Sequence, residues 1–127
     1  MLIKTIPHAK QAYETVGNYF IDEEGVQQVL ISNMGNEDYE FLVSIHELTE
    51  LYLCKKRGIL EEDITKFDKD FEFIRDKFPK TIGEHEPGHM TSAPYHKEHC
   101  FAEKIEKMIA EELGVNWELY DKTVTSL

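Results

Sequence analysis

The run His46-Glu47-Leu48-Thr49-Glu50 places a histidine and two carboxylates within five residues. On an α-helix, residues four apart lie one turn apart on one face, so His46 and Glu50 can point at one atom. A catalytic divalent ion takes about three protein ligands and leaves a place for water. His99 offers the third ligand, with His96 and Glu103 as competitors and Tyr95 beside them, placed to support the ligands or touch substrate. The set His46, Glu50 and His99 would be two imidazoles and one carboxylate. That donor set suits zinc better than magnesium or calcium and, arranged facially, also serves non-haem iron. Glu47 lies about 100° round the helix from His46. It is placed to act as a base, taking a proton from a metal-activated water as that water attacks a carbonyl. The expected chemistry is zinc-dependent hydrolysis of a peptide or small amide.

The same residues admit blander arrangements. In a chain with 25 Asp and Glu, this spacing also arises by chance. His46 and the two glutamates could form a buried hydrogen-bonded cluster, or hold a structural metal in a protein that is not an enzyme. Glu47 and Glu50, followed by Glu72 and Asp76, loosely fit a magnesium-dependent nucleotide pyrophosphohydrolase, a class that is usually all-helical. Cys54, one turn beyond Glu50, reads more simply as a small buried hydrophobe. His8 carries no signal.

The elements that must position these groups follow from patterning. A first helix is entered after Asn36, which can cap it, and left at Gly58, with Glu37, Asp38 and Glu40 at its positive end. Phe41, Ile45, Leu48 and Tyr52 fall on one stripe, taken as its core face. Leu42, Val43, Leu53 and Cys54 are interleaved with His46, Glu47 and Glu50 on the other side, so the helix reads as packed nearly all round. Buried carboxylates are costly unless paired or bound to metal.

Before this helix, Leu2 to Ile6 reads as a strand stopped by Pro7. Val16 to Ile21 and Val26 to Ile31 read as a β-hairpin around Asp22-Glu23-Glu24-Gly25. After it, Ile64, Phe67, Phe71, Ile74 and Phe78 mark a second, amphipathic helix over about 63–77, with Asp68 among its solvated residues. Residues 80–93, with Gly83, His85, Glu86, Pro87, Gly88 and His89, read as a loop, either a cover over the site whose histidines touch substrate or solvent, or an exposed linker with no role. A third helix opens at Pro94 and ends at Leu113 before Gly114, with Phe101, Ile105, Met108 and Ile109 as its core stripe. The tail packs through Trp117 and Tyr120. The expected fold is α+β: one domain over 1–127, a small antiparallel sheet packed on about three helices.

With 127 residues, 41% of them hydrophobic, the chain can bury a core. Its formal net charge of −11 repels phosphate backbones and anionic membranes, so neither nucleic acid nor membrane is an expected partner. Two cysteines outside any CxxC pair, and a start without the apolar run of a signal peptide, point to a cytoplasmic setting.

Ile6-Pro7-His8, Thr15-Val16-Gly17-Asn18, Tyr39-Glu40-Phe41-Leu42-Val43, Ile45-His46-Glu47-Leu48, Glu86-Pro87-Gly88, Ala93-Pro94-Tyr95 and Val115-Asn116-Trp117 resemble a family of small phage and prophage proteins. That resemblance spans nearly the whole chain, implies residence inside a host cell, and brings no activity with it. More loosely, through His46-Glu47-x-x-Glu50 alone, the first helix resembles the active-site helix of zincin metallopeptidases. Such a resemblance implies a helix laid on a sheet whose edge aligns an extended peptide. Glu50 stands where zincins usually carry a second histidine.

Overall fold

The apolar runs at the start of the chain form one sheet of three strands, β1 (Leu2–Ile6), β2 (Gly17–Ile21) and β3 (Gln27–Ser32), in the order β1-β3-β2. The computed structural model describes residues 1–79 and 86–127. β2 and β3 are the expected antiparallel hairpin, with Gly17 opposite Ile31 and Tyr19 opposite Val29. Asp22 closes the turn by accepting the backbone N–H groups of Glu24 and Val26 through Oδ1, both at 2.9 Å, and Gly25 takes φ +80°.

The sheet is mixed and not antiparallel throughout. β1 pairs parallel to β3, Leu2 opposite Gln28 and Ile6 opposite Ser32. The physical reason lies in the connection. Pro7 has no N–H to extend the ladder, and a 3₁₀ turn over His8–Lys10 carries the chain across the end of β3 to its far edge. Ser32, fully buried, anchors that crossing: His8 Nδ1 lies 2.9 Å from its hydroxyl and the Gln11 amide donates to it at 3.0 Å.

Among the described residues four α-helices follow, one more than expected: α1 (Glu37–Lys56), α2 (Glu61–Lys77), α3 (His96–Leu113) and α4 (Trp117–Thr125). α1 begins and ends as its residues dictate. Asn36 Oδ1 accepts from Tyr39 N at 3.1 Å, and Gly58 turns the chain with φ +70°. α2 starts at Glu61, two residues earlier than expected, and α3 at His96, two residues after Pro94. Asn116 caps α4 through Leu119 N at 3.0 Å, a signal the tail carried unread. The result is α+β, and among the described residues no helix is long and apolar enough to cross a membrane.

The core faces of α1 and α3 differ from those the apolar stripes suggest. On α1 the buried residues are Leu42, Val43, His46, Glu50, Leu51 and Cys54, while Phe41 and Tyr52 are 48% and 52% exposed. On α3 they are Glu98, His99, Ala102, Glu106 and Ala110, while Phe101 and Met108 lie exposed. Each helix turns its His/Glu face inward. Ala102 and Ala110 on α3 have small side chains that let the two backbones approach, and α1 packs along α3 on one side and against β2 and β3 on the other. On α2, Ile64 and Phe71 are buried as expected, Ile74 and Phe78 are not, and Asp68 is buried and not solvated.

Candidate functional site

His46 and Glu50 share the buried face of α1, and His99 comes to them from the first turn of α3. His46 Nε2 lies 3.1 Å from Glu50 Oε2 and 3.1 Å from His99 Nδ1, and His99 Nδ1 lies 3.0 Å from Glu50 Oε2. Three donor atoms thus form a near-equilateral triangle. That spacing suits donors that would hold one ion at zinc-like distances of about 2.0–2.1 Å. These buried His and Glu side chains are a group able to hold a metal ion.

Each corner is oriented from behind. His46 Nδ1–H donates to Glu106 Oε1 at 2.7 Å, so a ring that gave up its Nε2 proton to an incoming cation would offer Nε2 as the lone-pair donor. Glu106 accepts a second hydrogen bond from the Tyr120 hydroxyl, and Tyr19 donates to Glu50 Oε1 at 3.0 Å. The His99 ring is backed by Gly88, where an added Cβ would come 2.3 Å from its Cγ. Only a residue without a side chain lets the short 3₁₀ turn Pro87–His89 lie on that ring. The turn is fastened by His96, whose Nδ1–H donates to the Gly88 carbonyl at 2.9 Å.

Without a metal, electrostatics keep protons on these atoms. Burial alone would push the His46 imidazole down, but hydrogen bonds to Glu106 and Glu50 outweigh it and hold it well above its ordinary value. Burial would raise Glu50, and hydrogen bonds from His46 and His99 instead bring it down to about 2. For His99, burial is again outweighed, here by Glu50 and Glu86, and its value rises to about 9. Protons and a cation would compete for the same atoms. Glu47 differs. Burial and the Glu50 charge push its carboxyl up to about 8, near the range where a side chain both takes and gives protons.

A cavity of about 830 Å³ opens over these groups. Glu47 lines it with Gly17 beneath: a Cβ on Gly17 would come 2.6 Å from Glu47 Cγ, so β2 leaves the carboxylate its place. Asp68 also faces the cavity, taking hydrogen bonds from the Tyr13 hydroxyl at 3.2 Å and from the Tyr95 hydroxyl.

Of the residues the sequence singled out, His46, Glu50 and His99 come together, and Glu47 lines the same cavity. Tyr95 is buried with its ring 6.3 Å from that of His99. His96 holds the Gly88 turn, and Glu103 pairs with His89 at 2.6 Å, so neither joins the triangle. Residues 86–89 lie against His99, and residues 80–85 of the expected loop, with Gly83 and His85, lie outside the described residues. Cys54 is buried with its thiol pushed up to about 12 by burial, the state of an inert hydrophobe. Glu72 pairs with Arg75 at 3.3 Å and Asp76 is exposed, so they do not gather with Glu47 and Glu50 as a set of oxygen ligands.

Tyr13, Gly17, Tyr19, Asp68, Glu106 and Tyr120 were missed. Glu106 had a readable signal: it follows His99 by seven residues, two helical turns, and so shares its face. Tyr19 and Gly17 alternate on one face of β2, which becomes informative only once α1 is known to lie there. Compared with family models, with curated proteins and with solved structures, the chain matches none of them.

Proposed function

We propose that this chain is a metal-dependent hydrolase, with zinc held by His46, Glu50 and His99, acting on a peptide or amide bond. The reading rests above all on the 3.0–3.1 Å triangle of two imidazole nitrogens and one carboxylate oxygen. Two nitrogens and one oxygen favour zinc over magnesium or calcium. Bound there, the ion would polarise water and a substrate carbonyl. Glu47, at the cavity wall with its carboxyl poised near neutrality, would accept the proton from the attacking water and pass it to the leaving amine. Glu106 would hold His46 in its ligating tautomer. β2 is an edge of the sheet, so an extended peptide could lie along it beside Glu47 and Glu50.

Elemental analysis of purified protein tests the metal. This site is expected to contribute about one equivalent of zinc, lost in His46→Ala and in His99→Ala, and unchanged content in both variants overturns the assignment. Incubation with a peptide library, read by mass spectrometry, tests the hydrolysis, with Glu47→Gln as the inactive control.

One observation favours a second reading. The donor atoms already hydrogen-bond to one another, with Tyr19, Glu106 and Tyr120 completing the network, as in a purely structural cluster. A non-enzymatic protein, of the phage or prophage kind the sequence resembles, would need no more than this. X-ray absorption on zinc-loaded protein separates the two: three protein ligands plus water support the hydrolase, four protein ligands the structural site.

A further inference from the structure

The two nitrogens of His99 face different groups. Nδ1 belongs to the triangle with His46 and Glu50. Nε2 is buried and, among the described residues, makes no hydrogen bond, although the ring as a whole is only 7% exposed. A buried imidazole nitrogen without a hydrogen bond is costly and asks for a partner. Glu86 Oε2 stands 3.4 Å from it, in ion-pair range without hydrogen-bond geometry, and also 3.8 Å from His89 Nε2. The His89 ring lies 4.9 Å from the His99 ring, and Glu103 Oε2 is 2.6 Å from His89 Nε2. Donor pairs around a tetrahedral ion at about 2.0–2.1 Å lie about 3.3 Å apart, which the 3.4 and 3.8 Å separations of Glu86 from the two imidazoles approach.

We propose that Glu86, His89 and the Nε2 atom of His99 form a second transition-metal site, with His99 bridging two ions through its two nitrogens. Glu86 and His89 flank Gly88, whose missing side chain lets the turn close on His99, and the His96 bond to the Gly88 carbonyl holds it there. The pair is therefore set by built contacts and not by chance approach of surface residues. On binding the second ion, His99 Nε2 gives up its proton to solvent and the ring becomes an imidazolate shared by both metals. Glu103, already against His89 Nε2, is placed as a fourth donor.

The bridge rests on the first site as proposed above; occupancy of the second is measured separately. Metal-free protein is loaded with excess zinc, freed of unbound metal by gel filtration, and analysed for zinc per chain. Wild type is expected to hold about two equivalents, and His89→Ala and Glu86→Gln about one each. Both residues are partly exposed, so these variants should fold, which circular dichroism checks. One equivalent in wild type, unchanged in His89→Ala, overturns the second site and leaves the first standing. No zinc in wild type overturns both. Two equivalents in wild type and in both variants place the second ion elsewhere and overturn the proposal. With copper(II) as probe, a bridging imidazolate couples the two spins, so the EPR signal of the one-equivalent sample is expected to fall when the second binds. A signal that doubles overturns the bridge.

Discussion

Glu106 Oε1 accepts a hydrogen bond from His46 Nδ1 at 2.7 Å, from the opposite side of the ring to Glu50 and His99. The imidazole is thus gripped at both nitrogens, and the carboxylate is itself held by Tyr120. A carboxylate behind a ligating histidine fixes its tautomer and raises its basicity. Glu106→Gln is expected to weaken zinc binding by about 10–100-fold without unfolding the chain. Tyr120→Phe, one step further back, should cost less. Competition with a chromophoric chelator measures both, and unchanged affinity in Glu106→Gln removes the carboxylate from the metal chemistry.

Glu47 and Glu50 should separate cleanly. Glu47→Gln keeps size and should retain zinc while hydrolysis falls by about 10²–10⁴, the usual worth of a general base. Glu50→Gln should lower bound zinc. Gly17→Ala approaches the same carboxylate from below. Its methyl meets Glu47 Cγ at 2.6 Å, so the side chain must move or the strand must shift, at about 1–3 kcal/mol. Retained metal with reduced turnover is the expected outcome. If Glu47→Gln empties the site and Glu50→Gln does not, the two roles are reversed.

Metal should also stabilise the fold, because the ligands come from two helices far apart in sequence. Zinc at a hundred times its Kd adds about 2.7 kcal/mol if it binds only the folded chain. Thermal unfolding with added zinc and with a chelator measures the gap. It should be several degrees or more in wild type and clearly smaller in His46→Ala. A gap undiminished in His46→Ala means that the stabilising metal binds elsewhere.

How much of this was legible in the sequence depends on which forces choose a face. The hairpin was legible because Gly25 and Asp22 fix the turn locally, and the limits of α1 because Asn36 and Gly58 act within one helical turn. The inward face of α1 was not. Apolar residues lie all round that helix, so periodicity could not rank Phe41 and Tyr52 against Leu42, Leu51 and Cys54. Partners brought in from α3, α4 and β2, namely His99, Glu106, Tyr120 and Tyr19, decide it by satisfying His46 and Glu50, and no local signal contains them. The parallel placement of β1 likewise depends on where the crossing at Ser32 takes the chain. The triangle itself was legible in part, since the spacing of His46 and Glu50 is helical geometry and only the arrival of His99 is tertiary.

Asp68 offers a test on pH at a group that is not itself a proposed metal ligand. It is 8% exposed, and burial, helped by the nearby Glu50 charge, pushes its carboxyl from the ordinary 3.8 up to about 6, despite hydrogen bonds from Tyr95 and Tyr13. Between those two values the folded chain holds a proton that the unfolded chain has lost. Unfolding then releases a proton, so this group's contribution to stability falls as pH rises from about 4 to 6, and stays low above that. Asp68→Asn removes the ionisation and should keep both tyrosine contacts, since the Tyr13 hydroxyl can turn to accept from the amide. The difference in unfolding free energy between variant and wild type should therefore move in the variant's favour across this window, by on the order of 3 kcal/mol at 1.36 kcal/mol per pH unit. Urea unfolding at pH 4, 5, 6 and 7 gives the curve. A difference that stays flat, or that moves in wild type's favour, means Asp68 is ionised in the folded chain throughout and that its two tyrosines hold it as a carboxylate.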